Sequence, residues 1–129
     1  MKTIFTEIIQ KKIPSHIIYE DDLFISILDK YPVVLGHSLI IIKKVIDNIL
    51  EIEDDKYIKF QLLAKKISIA LTKTFFCKRI AMSVIGLDVP HAHIHLLPIN
   101  TIDDFNFSKK IEINNHRLKI IANSIINFL

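Results

Sequence analysis

The chain has 129 residues, half of them hydrophobic, and its formal net charge is only +3 at pH 7. This length and apolar content suit a single domain over residues 1–129, and the scattered lysines do not form the continuous basic run that would indicate a nucleic-acid partner. One cysteine excludes an intramolecular disulfide, Glu7 and Lys11 interrupt the N-terminus too early for a secretion signal, and no apolar stretch approaches bilayer length, so we expect a cytoplasmic protein without a membrane partner.

The first half of the chain predicts one short helix followed by three strands. Apolar residues at helical spacing, ended by Ile13-Pro14-Ser15, predict an amphipathic helix over residues 3–11. The next three segments are rich in β-branched and aromatic residues, and turn residues separate them. The predicted strands cover residues 17–20, 23–28 and 38–43.

The second half predicts a long helix, two more strands and a C-terminal helix. The long helix covers residues 54–75 and starts at Glu53 or Asp54 as its cap; its apolar positions are Ile58, Leu62, Ile67, Leu71 and Phe75. Strands follow at residues 79–85 and 92–97, and the last helix covers residues 114–128. Together these elements predict an α+β fold, a five-stranded antiparallel sheet with its helices gathered on one side.

Histidines occupy alternate positions in the last predicted strand, at His91, His93 and His95. Alternate side chains of a strand share a face, so the imidazoles would form one row while the intervening apolar residues pack behind them. Three neutral imidazoles contribute little packing, and three protonated ones would repel one another. The pattern therefore favours a chemical role over a structural one.

A metal site and a catalytic site are the two chemical alternatives for this row. Imidazole readily binds zinc or copper, but His91 and His95 would lie about 13 Å apart along a strand, whereas zinc ligands converge at about 2 Å from the ion. Two histidines could share an ion with a ligand from elsewhere, yet no Cys pair or His-Glu-x-x-His stretch supplies one. Nucleophilic or acid–base catalysis fits better, because His93 would have an imidazole about 6 to 7 Å away on each side, which can bracket a phosphate.

This alternation resembles the signature of the histidine triad superfamily of nucleotide hydrolases and transferases. The N-terminal half is similar to that family as well, over residues 4–15 and 18–22 and at Leu28-Asp29 and Pro32. The segment Gly36-His37-Ser38-Leu39 resembles the family's glycine-histidine-x-leucine strand. The match covers roughly residues 3 to 98 and is most similar to the small branch that hydrolyses nucleoside phosphoramidates. It implies the fold of that family, with one long central helix and short helices at both ends.

The resemblance implies a covalent mechanism with a role for each site residue. His93 would attack the α-phosphorus and become nucleotidylated, and water would then release a nucleoside monophosphate. A main-chain carbonyl beside His91 would fix the tautomer of His93, while His95 would contact the phosphate and help the leaving group depart. His37 would support the pocket around the triad. Asp29 would accept hydrogen bonds from the ribose hydroxyls, or would alternatively cap the end of a strand.

Apolar residues that match the family's base pocket could equally be ordinary core: they are Ile4, Phe5, Ile8, Ile27 and Leu28. Apolar side chains of this kind contact the two faces of a flat base and form no hydrogen bonds to its edge. A purine preference would therefore come from contact area. The implied substrate is a purine nucleotide such as adenosine or guanosine phosphoramidate, and no cofactor or metal ligand is implied. The resemblance also implies a homodimer, joined by the long helix and a strand edge.

The segment before the triad departs from the family pattern. Relatives usually carry an asparagine and then a glycine-glutamine-serine-like stretch, whereas this chain has a shorter segment at residues 82–90 without that glutamine and serine. If Asp88 takes the serine position, its carboxylate would be repelled by a bound phosphate unless it points away or is protonated. Some relatives bind zinc through N-terminal cysteines, but Cys77 is the only cysteine, so a structural zinc is not predicted.

Three functions are therefore open at the level of sequence. The first is a hydrolase that cleaves a P–N or phosphoanhydride bond at the α-phosphate of a purine nucleoside monophosphate, and we expect this one because the triad and its spacers are present. The second is a dinucleoside polyphosphate hydrolase or nucleotidyl transferase that uses the same nucleophile. The third is a module that binds nucleotides or a partner protein without turnover.

Overall fold

A computed structural model describes residues 2–129; Met1, with which the predicted domain begins, lies outside them. In chain order the helices and strands are α1 (Ile4–Ile9), β1 (Ile17–Glu20), β2 (Phe24–Leu28), β3 (Ser38–Ile42), α2 (Asp54–Thr74), β4 (Arg79–Ser83), β5 (His93–Ile99) and α3 (Asn115–Ile126). Short 3₁₀ helices at Ile49–Glu51 and Ile102–Asp104 were not predicted. All predicted helices and strands are present, with ends that differ by a few residues.

The five strands form one antiparallel sheet in the order β1-β2-β3-β5-β4, which confirms the predicted α+β class. β5 therefore lies inside the sheet, between β3 and the edge strand β4. His95 of β5 is paired with Leu39 of β3 on one side and with Ser83 of β4 on the other. Strand pairing on both sides fixes the direction of the histidines that β5 carries.

The two faces of the sheet carry separate apolar clusters. Side chains alternate between the two faces along β3. Ile40 therefore points towards the face covered by α2 and α3, and Leu39 and Ile41 point towards the opposite face. On that opposite face, the α1 face, Phe5 and Ile8 of α1 cover the strands. The prediction that the helices gather on one side was therefore wrong for α1. The reason is that β2 and β3 are buried at every position, so both faces of these strands need an apolar cover.

α2 packs on the sheet through a face that was only partly predicted. Ile67 and Leu71 are buried, whereas Ile58 and Leu62 are 57% and 61% exposed. The helix carries two apolar stripes, and periodicity alone does not show which stripe meets the sheet. Its buried residues are Phe60, Leu63, Ala64, Ile67, Ser68, Ala70 and Leu71. Although α2 has 21 residues, no helix within residues 2–129 is apolar enough over a sufficient length to cross a bilayer.

Two local signals position the ends of α1 and β3 that border the site. Thr3 begins α1 with a capping box: Thr3 Oγ1 accepts a hydrogen bond from the Thr6 N–H, and the Thr3 N–H donates to Thr6 Oγ1. Gly36 precedes β3 with φ at +85°, and a Cβ at this position would lie 2.5 Å from Cε2 of Phe75. Conformation and space both exclude a side chain at Gly36, and the turn that it permits places His37 at the start of β3.

Candidate active site

The triad is divided between β5 and the bend that precedes it. His93 and His95 lie on β5, on the same side as the α1 face, with ring centroids 4.9 Å apart. His91 lies before the strand, where its N–H donates to the carbonyl of Val89 at 2.8 Å. The prediction that all three share one strand was therefore wrong for His91. The ring of Phe5 still joins the set, because it contacts His91 and His93 edge-on at centroid distances of 6.0 and 4.8 Å.

Hydrogen bonds to main-chain carbonyls assign the proton on two of the triad histidines. His93 Nδ1 lies 2.6 Å from the carbonyl oxygen of His91, which only accepts, so Nδ1 carries the proton. His93 Nε2 is then left with a free lone pair. His91 is fully buried, and its Nε2–H donates to the carbonyl of Ile42 at 2.5 Å. Its Nδ1 is buried without a hydrogen-bond partner among the described residues.

A chain of hydrogen bonds through His37 assigns the proton on His95. The main-chain N–H of Val33 donates to His37 Nδ1 at 3.1 Å, so a neutral His37 carries its proton on Nε2. His37 Nε2 lies 3.0 Å from His95 Nδ1, which must then accept. His95 therefore carries its own proton on Nε2. The site thus contains a donor at His95 Nε2 and a lone pair at His93 Nε2.

Burial keeps these imidazoles neutral at pH 7. Burial is the largest cause that lowers the pKa of His37, to about 3, and the charges of His95, Lys110 and His93 lower it further. Burial also lowers the pKa of His95 to about 4, with smaller contributions from His93 and Lys110. The pKa of His93 lies below 6.5 because of burial, although its bond to the His91 carbonyl opposes that effect. At neutral pH the lone pair of His93 is therefore available.

Asp29 lies next to the histidine pair at the end of β2. Its Oδ2 is 3.5 Å from His37 Nε2, and because His37 is neutral at pH 7 this contact is not an ion pair. Oδ1 accepts the Tyr31 N–H at 2.9 Å, and the Asp29 N–H donates to the carbonyl of His37 at 2.9 Å. Burial raises the pKa of the Asp29 carboxyl, while the Tyr31 N–H and Lys110 oppose the rise. Oδ2 thus has capacity to accept further hydrogen bonds.

A cleft of about 470 Å³ opens on the α1 face, a size typical of small-molecule sites. It is lined by Asp29 together with all of the residues predicted for the base pocket, which are Ile4, Phe5, Ile8, Ile27 and Leu28. The side chain of Leu28 also belongs to the core shared with α2 and α3. The described lining does not include the triad, but it includes Leu39, which is the strand partner of His95. The cleft therefore ends beside the histidines.

Sequence reasoning missed two polar residues at the rim of this cleft. His16 precedes β1 and Asn115 is the first residue of α3, so they are far apart in the chain, yet both line the cleft. His16 Nε2 lies 3.5 Å from Asn115 Oδ1. No local pattern could have paired them, because the docking of α3 next to β1 brings them together.

The loop between β5 and α3 also reaches the site, which no sequence pattern predicted. Phe107 contacts His95 and His37 edge-on, at centroid distances of 5.0 and 5.7 Å. Lys110 Nζ lies 5.5 Å from the centroid of the Phe107 ring. Aromatic residues in a loop carry no periodic signal, so only the tertiary structure reveals these contacts.

The segment at residues 82–90 places Ser83 beside the histidines and leaves Asp88 exposed. Ser83 is the partner of His95 across β4 and β5, so both side chains project from the same face of the sheet. Val89 packs against the apolar cluster of the α1 face. Asp88 is exposed to solvent, so its carboxylate retains water around it.

Asp29, His37 and His95 are a group of described residues whose donor atoms could hold a metal ion, since these atoms lie within 4.8 Å of one another. None was predicted as a metal ligand. His37 and His95 face each other across their 3.0 Å hydrogen bond, so an ion would have to displace the proton between them. An ion here would thus compete with the hydrogen-bond chain that sets the tautomer of His95.

Comparison with known proteins assigns the family. The model of the HIT domain family matches residues 10–102. An uncharacterized HIT-like protein of Borreliella burgdorferi is 34% identical over 124 residues, which cover 86% of this chain and 85% of that protein. An uncharacterized HIT-like protein of Synechococcus elongatus is 38% identical over 100 residues, covering 74% and 88% of the two chains. The chain therefore belongs to the HIT domain family.

A solved structure extends this similarity to nearly the whole fold. A protein of Sulfolobus tokodaii described as a hypothetical histidine triad nucleotide-binding protein superposes with a TM-score of 0.85 at 27% identity, over 98% of this chain and 91% of that one. The sheet and all three helices therefore belong to an architecture already seen in this family.

Proposed function

We propose that the protein is a nucleotide hydrolase that cleaves a P–N or phosphoanhydride bond at the α-phosphate of a purine nucleoside monophosphate. One observation carries the proposal: the main-chain groups around the triad leave a lone pair on His93 Nε2 and a proton on His95 Nε2. A nucleophile and a hydrogen-bond donor are thus held on one face with their rings 4.9 Å apart. Family membership and the nucleotide-binding description of the Sulfolobus relative support the same substrate class.

The first chemical step forms a bond between His93 Nε2 and the α-phosphorus. As the bond from phosphorus to the leaving group breaks, that group takes the electron pair, and the Nε2–H of His95 stabilises it with a hydrogen bond; an amine leaving group takes its proton from solvent. The His91 carbonyl, 2.6 Å from Nδ1, stabilises the positive charge that develops on the His93 ring. The product is a nucleotidylated His93 and a free leaving group.

The second step transfers the nucleotidyl group to water. A water molecule attacks the phosphorus, and the bond to His93 Nε2 breaks and returns its electron pair to that nitrogen. The proton of the water passes to solvent, the nucleoside monophosphate leaves, and both imidazoles are again neutral. No metal is needed in either step, because His93 supplies the nucleophile and His95 supplies the hydrogen-bond donor.

The cleft supplies a place for the nucleoside. Ile4, Phe5, Ile8 and Ile27 would form apolar walls around a purine, and Asp29 Oδ2 would accept hydrogen bonds from the ribose hydroxyls. The family's dinucleoside polyphosphate hydrolases and nucleotidyl transferases would use the same groups and differ in what leaves or accepts. A module that only binds nucleotides would have no use for the opposed tautomers of His93 and His95.

Substitution of His93 tests the catalytic proposal. In His93→Ala, turnover of adenosine 5′-phosphoramidate should fall by at least about 1,000-fold, since the nucleophile is removed, while binding of AMP measured by calorimetry is retained. His116→Ala is the matched control, because His116 is an exposed histidine on α3. Wild-type protein should also accumulate a covalent nucleotidyl adduct that mass spectrometry locates at residue 93. Absence of turnover by the wild type, or unchanged turnover by His93→Ala, would contradict the proposal.

We further propose that the chain forms a homodimer through α2 and the edge strand β4. An apolar stripe on the solvent side of α2 is exposed at Ile58, Leu62 and Ile69 by 57, 61 and 46%. Met82 of β4 and the adjacent Val84 are 49 and 46% exposed. Exposed apolar stripes and an unpaired strand edge are features that a second subunit covers.

Light scattering tests the dimer. Wild-type protein should have twice the mass of one chain, and Leu62→Glu should shift it to the monomer because a charge enters the apolar stripe. Leu50→Glu is the control, since Leu50 is 82% exposed on a 3₁₀ helix outside the proposed interface. A wild-type monomer at micromolar concentration, or an unaffected Leu62→Glu dimer, would contradict this interface.

A further inference from the structure

The loop between β5 and α3 carries a free positive charge to the edge of the site. The main-chain N–H of Ile111 donates to the carbonyl of Pro32 at 2.8 Å, which ties the loop to the turn before β3. Phe107 lies between this anchor and β5 and contacts the rings of both His95 and His37. The ammonium of Lys110 lies over that phenyl ring at 5.5 Å. Lys110 and the histidine pair thus contact the same aromatic ring.

Lys110 forms no ion pair with a carboxylate in the described part of the chain. None of the ion pairs formed by residues 2–129 includes it, and its side chain is exposed. Its charge is nevertheless felt inside the site, because it lowers the pKa of Asp29, His37 and His95. An ammonium held near the site without a protein partner is available to a ligand anion.

The position of Lys110 indicates which part of a substrate it would meet. It does not belong to the described lining of the cleft, where the base and ribose would bind. It lies instead beside Phe107, whose ring contacts His95, the residue that would donate a hydrogen bond to the leaving group. The group closest to Lys110 would therefore be the group that departs from the α-phosphorus.

We propose that Lys110 is a specificity-determining residue that favours substrates whose leaving group carries phosphate. The proposal rests on the hydrolase function proposed above and deepens it by naming the leaving-group class: a second phosphate chain is preferred to an uncharged amine. An ammonium that attracts the anionic leaving group stabilises the negative charge that grows on it as the bond breaks. A neutral amine gains little from the same charge. Lys110 thus compensates on the leaving-group side for the shortened polar segment at residues 82–90.

The test compares two substrates in matched variants. One substrate is adenosine 5′-phosphoramidate, which releases ammonia, and the other is diadenosine tetraphosphate, whose leaving group is a nucleoside triphosphate. Lys110→Ala should lower kcat/KM for the tetraphosphate about five- to tenfold, as expected for one partly screened charge pair, and should lower it by less than about twofold for the phosphoramidate. Lys110→Arg should restore most of the loss. Lys109→Ala, an exposed lysine of the same loop, is the control and should change neither value.

Two outcomes overturn the proposal: an equal loss on both substrates, which would give Lys110 a general or structural role, or no loss on either one. If the wild type turns over neither substrate, the proposed hydrolase function is wrong. Nucleotide binding measured by calorimetry then tests the role of Lys110 separately. In that case Lys110→Ala should weaken the binding of ADP more than that of AMP. Equal weakening, or none, would overturn the preference for a phosphate beyond the α-position.

Discussion

The hydrogen-bond chain through His37 makes a demanding prediction about the chemistry of His95. In His37→Leu, His95 loses the donor that holds its Nδ1 unprotonated at 3.0 Å, so its ring is free to reorient and to carry its proton on either nitrogen. The expected consequence is a site that keeps its nucleophile but stabilises the departing group poorly, because the Nε2–H of His95 is no longer held in place. Removal of one such donor costs about 100- to 1,000-fold, and His95 itself remains, so we expect a loss of about 10- to 100-fold in kcat/KM.

Leaving groups of different basicity separate this effect from general damage. The departing amine of a phosphoramidate is strongly basic and depends on a hydrogen-bond donor as it leaves, so hydrolysis of this substrate should show the full loss. A p-nitrophenyl ester of AMP departs as a stable anion, so its hydrolysis in His37→Leu should fall by less than about threefold. His37→Gln is the matched variant, because its amide offers both an acceptor for the Val33 N–H and a donor for His95.

The variant will also be less stable, and this effect must be measured separately. Loss of the acceptor leaves the buried N–H of Val33 unpaired, which should lower the free energy of unfolding by about 1–3 kcal/mol in urea titrations. Assays well below the melting temperature keep both variants folded. Equal losses on the amine and nitrophenyl substrates in folded His37→Leu would refute the assignment of the proton to His95 Nε2.

Four further predictions follow from the structure. Because burial holds the pKa of His93 below 6.5, the acid limb of kcat/KM should be centred below pH 6.5; an acid limb centred at 6.5 or above would contradict this. The folded pKa of His37 is about 3 and that of His95 about 4, so the unfolded chain binds protons first on acidification, and the free energy of unfolding measured in urea should decline as the pH falls from 6.5 to 4. Gly36→Ala should lower the melting temperature by several degrees in calorimetry, because it strains a φ of +85° and brings Cβ against Phe75, whereas an unchanged melting temperature would show that the turn relaxes freely. EDTA should leave turnover intact while excess Zn²⁺ inhibits it, and a loss of activity in EDTA would show that an ion at the histidine pair is required.

Sequence analysis predicted the positions of residues that follow a local periodicity or a family motif. It did not predict contacts between elements that are distant in the chain. Alternation in β5 correctly placed His93 and His95 on one face, because a strand has a period of two. The same rule failed at His91, where the bend before the strand ends the alternation. The cleft-lining residues matched a family pattern, so their proximity could be expected.

Long-range docking explains the features that no local pattern could predict. Which stripe of α2 meets the sheet depends on its other partners, so Ile58 and Leu62 appeared equivalent to Ile67 and Leu71 until the structure separated them. Phe107 and Lys110 reach the histidines from an irregular loop, where no spacing rule links residues to β5. The helix α1 covers the second face of the sheet because β2 is buried on both sides. The sequence of one strand does not show which helix covers which face.

Main-chain atoms determine the proton positions at this site, and this explains how the chain can depart from its family in the segment before the triad. The carbonyl of His91 sets the tautomer of His93, and the N–H of Val33 sets that of His95 through His37. None of these groups belongs to residues 82–90, so changes in that segment leave the nucleophile and the hydrogen-bond donor in place. Such changes would alter instead how the phosphates and the leaving group are held. We therefore expect this chain to differ from its relatives in substrate preference more than in mechanism, with Lys110 as the side chain through which that preference is measured.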